Sequence, residues 1–295
     1  MKNLKIAVTG GAGFIGTNLL QELKKRYIDA EIISIDIRNP QYPVSGIKYE
    51  LCDVRLKDRL FTPLNSSNKI FHLAALIGTH ESFDNPSEVF ETNIGGVLNI
   101  LDFVKRNPQT ELFVAGMPGI WNNPYSISKD AAVRMALAYY ETYLIKVSIL
   151  RWYSVYGPYQ YINRYNKAVP TFITKALNNE PLPVFGNGNQ TSDFIYVQDA
   201  VNLAIDSLEN RKWGKVIQCA SGKGITVNQL VNKIIKLCKS SSKVAHLPMR
   251  IGEPENAYVV ADTEELKKHY SRKPITLDEG LSKTITFYQQ TKILD

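Results

Sequence analysis

Tyr125 and Lys129 stand four residues apart in the run Tyr125-Ser126-Ile127-Ser128-Lys129. On a helix that spacing projects a phenol and an ammonium from one face. A cation beside a phenol favours the phenolate. The expected result is a lowered tyrosine pKa and a group that can take a proton from a substrate hydroxyl while hydride leaves the same carbon. Alone, the spacing is common, and an exposed surface pair is its usual meaning. A second cluster changes the setting. Gly10-Gly11-Ala12-Gly13-Phe14-Ile15-Gly16 follows the apolar run Lys5-Ile6-Ala7-Val8-Thr9 and opens a stretch with helical periodicity. Glycines there permit a tight turn and let the backbone approach a pyrophosphate seated at the positive end of a helix. Asp36 comes twenty residues after Gly16, at the end of a second apolar run. A carboxylate in that place accepts the hydroxyls of an adenosine ribose and repels a 2′-phosphate, so the cluster reads as an NAD site in preference to an NADP site. Arg38 weighs slightly the other way, and a plain tight turn is the alternative.

The elements that must carry these residues alternate between strand and helix. Apolar runs at Lys5–Thr9, Glu31–Asp36, Ile47–Leu51, Lys69–Leu73, Glu111–Val114 and Val147–Arg151 read as strands. Helical periodicity covers Phe14–Tyr27, Glu88–Arg106 and Ser126–Tyr143. The expected fold class is α/β, a Rossmann-type doubly wound parallel sheet with a smaller C-terminal substrate-binding region, ligands lying at the C-terminal edge of the strands. Residues 1–165 are expected to form the NAD-binding domain, with a return segment at about 192–218 in which the strand and helix of Phe194–Leu208 rejoin the main sheet. Residues 166–191 and 219–295 form the substrate-binding region, where helical patterns appear at Asn228–Cys238 and Thr276–Tyr288.

Composition excludes several classes. With 295 residues, 44% hydrophobic and 21% charged, the chain is an ordinary globular protein with ample core. Its net charge of +7 admits nucleic acid, an anionic surface or a small anionic ligand. No long Lys/Arg run occurs, which favours the small anion and argues against nucleic acid. Cys52, Cys219 and Cys238 are too few and too far apart for a disulfide framework, and a cytoplasmic protein is expected. The N-terminus runs straight into the first strand, and no apolar run approaches a membrane span. His72, His80, His246 and His269 show no metal spacing, so no metal is expected. His72 closes a buried strand and reads as a satisfied core histidine.

Further motifs join these: His72-Leu73-Ala74-Ala75, Asn93, Arg151-Trp152-Tyr153-Ser154-Val155-Tyr156-Gly157-Pro158, Pro170 with Phe172, Asp193-Phe194-Ile195-Tyr196-Val197, and Arg250 before Gly252-Glu253-Pro254. With them the chain resembles, over essentially its whole length, the extended short-chain dehydrogenase/reductase family, in particular its nucleotide-sugar epimerase/dehydratase group. The resemblance implies tightly held NAD and oxidation of the C4 hydroxyl of a nucleotide-diphosphate sugar, hydride returning later. It makes Tyr125 and Lys129 catalytic. It assigns NAD contacts to Gly10, Gly13, Phe14, Ile15, Gly16, Asp36, Asp53, Val54, Leu73, Ala74, Ala75, Asn93, Tyr125, Lys129, Tyr153 and Val155. It also implies a homodimer pairing the helix after His72-Leu73-Ala74-Ala75 with the helix carrying Tyr125, for which Val97, Ile100, Leu101, Val104, Met135, Leu137 and Ala138 are candidates; the same residues are equally suited to face the sheet.

The chain departs from that pattern between the fifth strand and Tyr125. The family carries a Ser or Thr there, followed by an insertion. This chain has Ala115-Gly116-Met117-Pro118-Gly119-Ile120-Trp121-Asn122-Asn123-Pro124, with Met117 or Pro118 at the hydroxyl's position. Neither can donate to an oxyanion, a loss worth about 3 kcal/mol of barrier. Thr79, Ser82, Asn122 and Asn123 are the candidate substitutes. Ser192 replaces a diphosphate-gripping arginine, Arg250 matches the other one, and Tyr159-Gln160-Tyr161-Ile162-Asn163-Arg164-Tyr165 offers Arg164 and a stacking ring, or an ordinary packed loop. The Thr-Asp-Glu signature of the 4,6-dehydratases is absent. The leading expectation is an NAD-dependent sugar-nucleotide epimerase. The alternatives are a net 4-dehydrogenase or 4-ketoreductase and, from another class, a non-catalytic NAD-sensing or nucleic-acid-binding relative.

Overall fold

A computed structural model describes residues 4–119, 121–160 and 167–291. The first compact unit takes the described residues up to Trp152 together with Val201–Ile217, and the second takes those of Tyr153–Ala200 and from Gln218 onward.

The first unit begins β1 (Lys5–Thr9), α1 (Phe14–Arg26), β2 (Glu31–Asp36), β3 (Lys48–Leu51), α2 (Lys57–Leu64) and β4 (Lys69–His72). It continues through α3 (Pro86–Phe90), α4 (Gly96–Arg106), β5 (Glu111–Gly116), α5 (Pro124–Tyr143) and β6 (Lys146–Trp152). The second unit adds β7 (Ser154–Tyr156), α6 (Ala168–Leu177), β8 (Leu182–Phe185) and β9 (Thr191–Tyr196). Helix α7 (Val197–Glu209) and β10 (Val216–Cys219) lead back through the first unit. Then come β11 (Gly224–Thr226), α8 (Val227–Cys238), β12 (Val244–Leu247), β13 (Tyr258–Val259), α9 (Glu264–His269) and α10 (Leu277–Thr291).

The large sheet has the order β10-β6-β5-β4-β1-β2-β3. Every pair from β6 across to β3 is parallel. Strands covered by helices on both faces read as unbroken apolar runs, which is why Ile6 to Thr9 and Ile32 to Ile35 are wholly buried. On one face Ala7, Ile33, Ile35, Ile70, Leu112, Val114, Val147 and Ile149 pack with Val97, Ile100, Leu101 and Val104 of α4 and Ala132, Val133 and Ala136 of α5. The four α4 residues therefore face the sheet and are not free to form an outward dimer stripe. Met135 and Leu137 are partly buried against the same core, and Ala138 is exposed.

The helix expected over Glu88–Arg106 starts earlier, at Pro86, behind an Asn85 cap, and is interrupted by a π-helical turn at Glu91–Gly95. Just after the turn a Cβ at Gly96 would lie 2.8 Å from Val54 Cγ2, and the turn itself carries the buried Asn93.

In the second unit β9 pairs with β7, β11 and β13, and β8 pairs with β12. The strand containing Phe194, expected to rejoin the large sheet, thus stays in this small one. The reason is Asp193, fully buried, whose carboxylate accepts Ser221 N–H at 2.9 Å, Ser221 O–H at 2.6 Å and Gly222 N–H at 2.8 Å. Moving β9 would strand that charge. The return is made by α7 and β10 instead. Likewise the first unit ends at Trp152, because β7 is held by β9. No helix among the described residues is long and apolar enough to cross a membrane.

Candidate active site

Strand order reverses at β1, which has β2 on one side and β4 on the other. Ligands of such sheets sit beyond the C-terminal ends of the strands at that point. The β1–α1 turn lies there and is packed tightly by necessity. Gly10 adopts φ +74°, and a Cβ on it would come within 2.7 Å of Ala74 N and 2.9 Å of the Leu73 carbonyl carbon. A Cβ on Gly16 would fall 2.3 Å from Gly10 O, and one on Gly13 3.2 Å from the same oxygen. Gly13 caps α1 without a side-chain bond, so the first-turn amides of Phe14, Ile15 and Gly16 have no acceptor in the helix. Asp36 Oδ2 accepts Ala12 N–H at 3.0 Å and Oδ1 accepts Arg38 N–H at 3.3 Å, while burial holds its carboxyl above the ordinary range. A glycine cradle, an uncapped positive helix end and an adjacent carboxylate fit the pyrophosphate and ribose of NAD.

Asp53 is held by its near neighbour. Arg55 donates to Oδ2 at 2.7 Å from Nη2 and 2.9 Å from Nε, and to Oδ1 at 3.1 Å from Nε, and this pairing keeps the carboxyl low. Val54 is buried in the core, whereas Leu73, Ala74 and Ala75 are only partly covered.

Tyr125 and Lys129 occupy the first two turns of α5, capped by Asn123, whose Oδ1 accepts Ser126 N–H at 2.9 Å. Burial pushes the Tyr125 phenol up to about 12. The sequence-based expectation of a lowered value is therefore not met. Desolvation is the cause, and no opposing contribution from Lys129 accompanies it. Lys129, 5% exposed, is pushed down to about 8 by burial, and its ammonium has no hydrogen-bond partner among the described residues. His72 is wholly buried and held down to about 3, by desolvation first and by the Lys129 charge second. Its Nδ1 bonds Thr9 Oγ1 at 2.7 Å, but Nε2 has no partner, so the core histidine is only half satisfied.

Asn93 braces this region. Its Nδ2 donates to Leu76 O at 2.9 Å and to Ser128 Oγ at 2.9 Å, and its Oδ1 accepts Leu76 N–H at 2.8 Å. One amide thereby ties the segment after β4 to the helix carrying Tyr125. Asp130 does the same for β6: Arg151 donates to it at 2.7 Å and Arg134 at 2.8 Å.

The four candidate substitutes for the missing hydroxyl separate clearly. Ser82 Oγ donates to Thr79 O at 2.8 Å, Asn122 is exposed, and Asn123 is 1% exposed with its Nδ2 unpartnered. Tyr153, Val155 and Arg250 belong to the second unit. There the Tyr153 hydroxyl donates to Gln218, and Arg250 donates to Glu253 at 2.9 Å with its guanidinium 4.7 Å over the Phe185 ring. Arg164 lies outside the described residues.

Residues 6–220 match the family described as the NAD dependent epimerase/dehydratase family. The chain belongs to that family. NAD is accordingly its cofactor, and the cradle at β1–α1 fits it. Among curated relatives, a UDP-N-acetyl-alpha-D-glucosaminuronate decarboxylase of Bacillus cytotoxicus is 27% identical over 96% of this chain and 97% of its own. A UDP-glucuronate 4-epimerase of Thermodesulfobacterium geofontis is 26% identical over 96% and 95%. Among solved structures, a UDP-N-acetylglucosamine 4-epimerase from Methanobrevibacter ruminantium M1, in complex with UDP-N-acetylmuramic acid, superposes with a TM-score of 0.88 at 27% identity, covering 99% of this chain and 100% of its own. The relatives are thus NAD-family enzymes of nucleotide sugars whose named reactions differ.

Sequence reasoning missed Thr9, Ser128 and Asp130. Ser128 and Asp130 flank Lys129 directly, and Thr9 ends β1 immediately before the glycines, so position relative to the two motifs was the available signal.

Proposed function

We propose that this chain is an NAD-dependent epimerase acting at C4 of a nucleotide-diphosphate sugar. The observation that carries the reading is the placement of Tyr125 and Lys129 on α5, Lys129 as a buried ammonium without a hydrogen-bond partner among the described residues. A lysine is held in that state only where something useful compensates it. The bound cofactor supplies a hydride acceptor and donor for carbon C4. Around it the chain's own groups divide the work. The α1 amides and Gly10, Gly13 and Gly16 hold the pyrophosphate, and Asp36 holds the adenosine ribose. Val54 and Asp53 border the adenine, and Leu73, Ala74 and Ala75 run along the dinucleotide. Lys129 provides a cation at the nicotinamide ribose. Tyr125 removes and returns the C4 hydroxyl proton. Its phenol is protonated at neutral pH, as an unperturbed tyrosine also is, so the resting group can protonate a C4 ketone and must lose its proton before it acts as base.

A net 4-dehydrogenase or ketoreductase is the second reading, favoured by the absence of any hydroxyl between β5 and α5. We also propose a homodimer, with a second copy covering the α3 and α5 surface.

The test is product analysis. UDP-glucose, UDP-N-acetylglucosamine and UDP-glucuronate are supplied in turn to the NAD-loaded protein, with C4 configuration read by NMR and NADH at 340 nm. The expected result is a C4 epimer without lasting NADH, and a loss of about 10³-fold in Tyr125→Phe. Lasting NADH supports the second reading. Undiminished turnover by Tyr125→Phe removes Tyr125 from the reaction.

A further inference from the structure

Three elements meet at Asp130, the residue directly after Lys129. Arg151, near the end of β6, donates from Nη2 to Asp130 Oδ1 at 2.7 Å, and Arg134, one turn further along α5, donates from Nε to Oδ2 at 2.8 Å. The β5–α5 loop closes on the same carboxylate: Gly119 has φ +65°, and a Cβ on it would lie 3.3 Å from Asp130 Oδ1. Gly116, paired in register with Arg151, comes equally near the other partner, since a Cβ there would lie 3.3 Å from Arg151 Cγ. The two arginines are not equivalent. Arg134 is 80% exposed and belongs to the same helix as Asp130, so its pair adds little and fixes nothing outside α5. Arg151 is 29% exposed, its Nε is buried without a partner, and Asp130 is the acceptor its side chain has among the described residues.

Ser128 holds the other side of Lys129. Its Oγ accepts Asn93 Nδ2–H at 2.9 Å and donates to Tyr125 O at 2.9 Å. Successive residues of a helix turn by about 100°, so Ser128 and Asp130 project on either side of Lys129, one tied to the π-helical turn and the other to β6. We infer that the Asp130–Arg151 ion pair is a positioning device for the proposed reaction. Together with the Asn93–Ser128 bond it fixes the rotation of α5 about its axis, and so aims the Lys129 ammonium and the Tyr125 phenol without itself touching substrate or cofactor. This role rests on the proposed C4 chemistry. Proton and hydride leave one carbon together only if both groups hold their places, and a misplacement of about 1 Å costs on the order of 10²-fold in rate. A helix tied on one side can roll; tied on both, it cannot.

NAD-loaded wild type, Asp130→Ala, Arg151→Met, the double variant, Asp130→Asn, Arg134→Ala and Tyr125→Phe are assayed with UDP-glucose, UDP-N-acetylglucosamine and UDP-glucuronate. Kinetics are taken on the probe that wild type turns over fastest. Asp130→Ala and Arg151→Met are each expected to lose about 10–100-fold in kcat, with KM within about twofold and NAD content unchanged. The double variant is expected to be no slower than the slower single, because the two side chains act as one pair. Arg134→Ala keeps wild-type kcat. Should either single variant fail to fold, Asp130→Asn, which keeps the shape and removes the charge, carries the comparison with an expected loss of about tenfold. Wild-type kcat in any folded Asp130 or Arg151 variant overturns the inference, since a pair that only stabilises the fold moves Tm and leaves kcat. Losses that multiply in the double variant overturn it by showing two independent effects. An equal loss in Arg134→Ala does so by assigning the effect to charge on the helix surface. If Tyr125→Phe turns over like wild type, or wild type acts on none of the probes, the C4 reading itself fails and the positioning role falls with it.

Discussion

Lys129 combines an ammonium with 5% exposure and no hydrogen bond from the described protein, which is a cost to the fold in the absence of cofactor. Its depressed pKa, about 8, states the same cost. Lys129→Met is therefore expected to raise the thermal midpoint of the NAD-free protein while reducing turnover, two opposite movements that one melting curve and one assay read together. His72 gives the corresponding statement for acid. Its folded-state pKa of about 3 lies below the ordinary 6.5, so the unfolded chain binds the extra proton. The stability it protects is complete above pH 6.5 and is lost as pH falls towards 3, on the order of 5 kcal/mol in full. Urea unfolding from pH 7 to 4 checks this: His72→Gln flattens the slope by about one proton, and an unchanged slope refutes it. The sequence pointed to Tyr125 and Lys129 only in company with the glycine loop and the other motifs, since their spacing by itself is common. The direction of the tyrosine's pKa was not, because it depends on how much water the folded chain removes from the ring, a tertiary quantity that an i, i+4 spacing does not contain.

At the scale of elements, the β1–α1 turn sets the strictest geometric demand. Gly16→Ala places a methyl 2.3 Å from Gly10 O, and should cost about 1–3 kcal/mol and empty the protein of NAD as the loop shifts. Gly95→Ala is the contrasting case. A Cβ there meets nothing within 4 Å, so the melting temperature and NAD content should hold or rise. Differential scanning fluorimetry with absorbance of released cofactor distinguishes the two; equal behaviour contradicts the packing argument. Local pattern located β1 to β6, α1, α5, α8 and α10 to within a few residues, since each is a run whose periodicity matches its own burial. It failed at α3 and α4. The π-helical turn between them holds Asn93, whose partners Leu76 and Ser128 lie 17 and 35 residues away in the chain, and no local window sees them. Strand β9 failed for a like reason: Asp193 is buried by partners 28 and more residues away.

For the whole molecule, the family's relatives share a cofactor and a class of substrate but not one reaction, so what distinguishes this chain has to lie in the segments where it differs. The β5–α5 loop is the clearest of these. It carries Met117, Pro118 and Gly119, the last with φ +65° and close to Asp130, and no hydroxyl side chain. The neighbouring helices α3 and α5 bear Phe90 and Ile127, which are 37% and 48% exposed. Apolar groups of that size in one helical layer suit a second copy of the chain. Multi-angle light scattering at micromolar concentration should give twice the 33.3 kDa chain mass, and Ile127→Glu should reduce it to that of one chain. A wild-type monomer contradicts the dimer.

The most direct test of the central claim follows the hydrogen on C4. The nucleotide sugar that wild type accepts is synthesised with deuterium at C4 and turned over in ordinary water. Hydride that leaves and returns within one site predicts a product of inverted C4 configuration that keeps its deuterium, formed more slowly than from unlabelled sugar, and no product from Tyr125→Phe on the same timescale. Deuterium lost to solvent, or equal turnover by Tyr125→Phe, would contradict it.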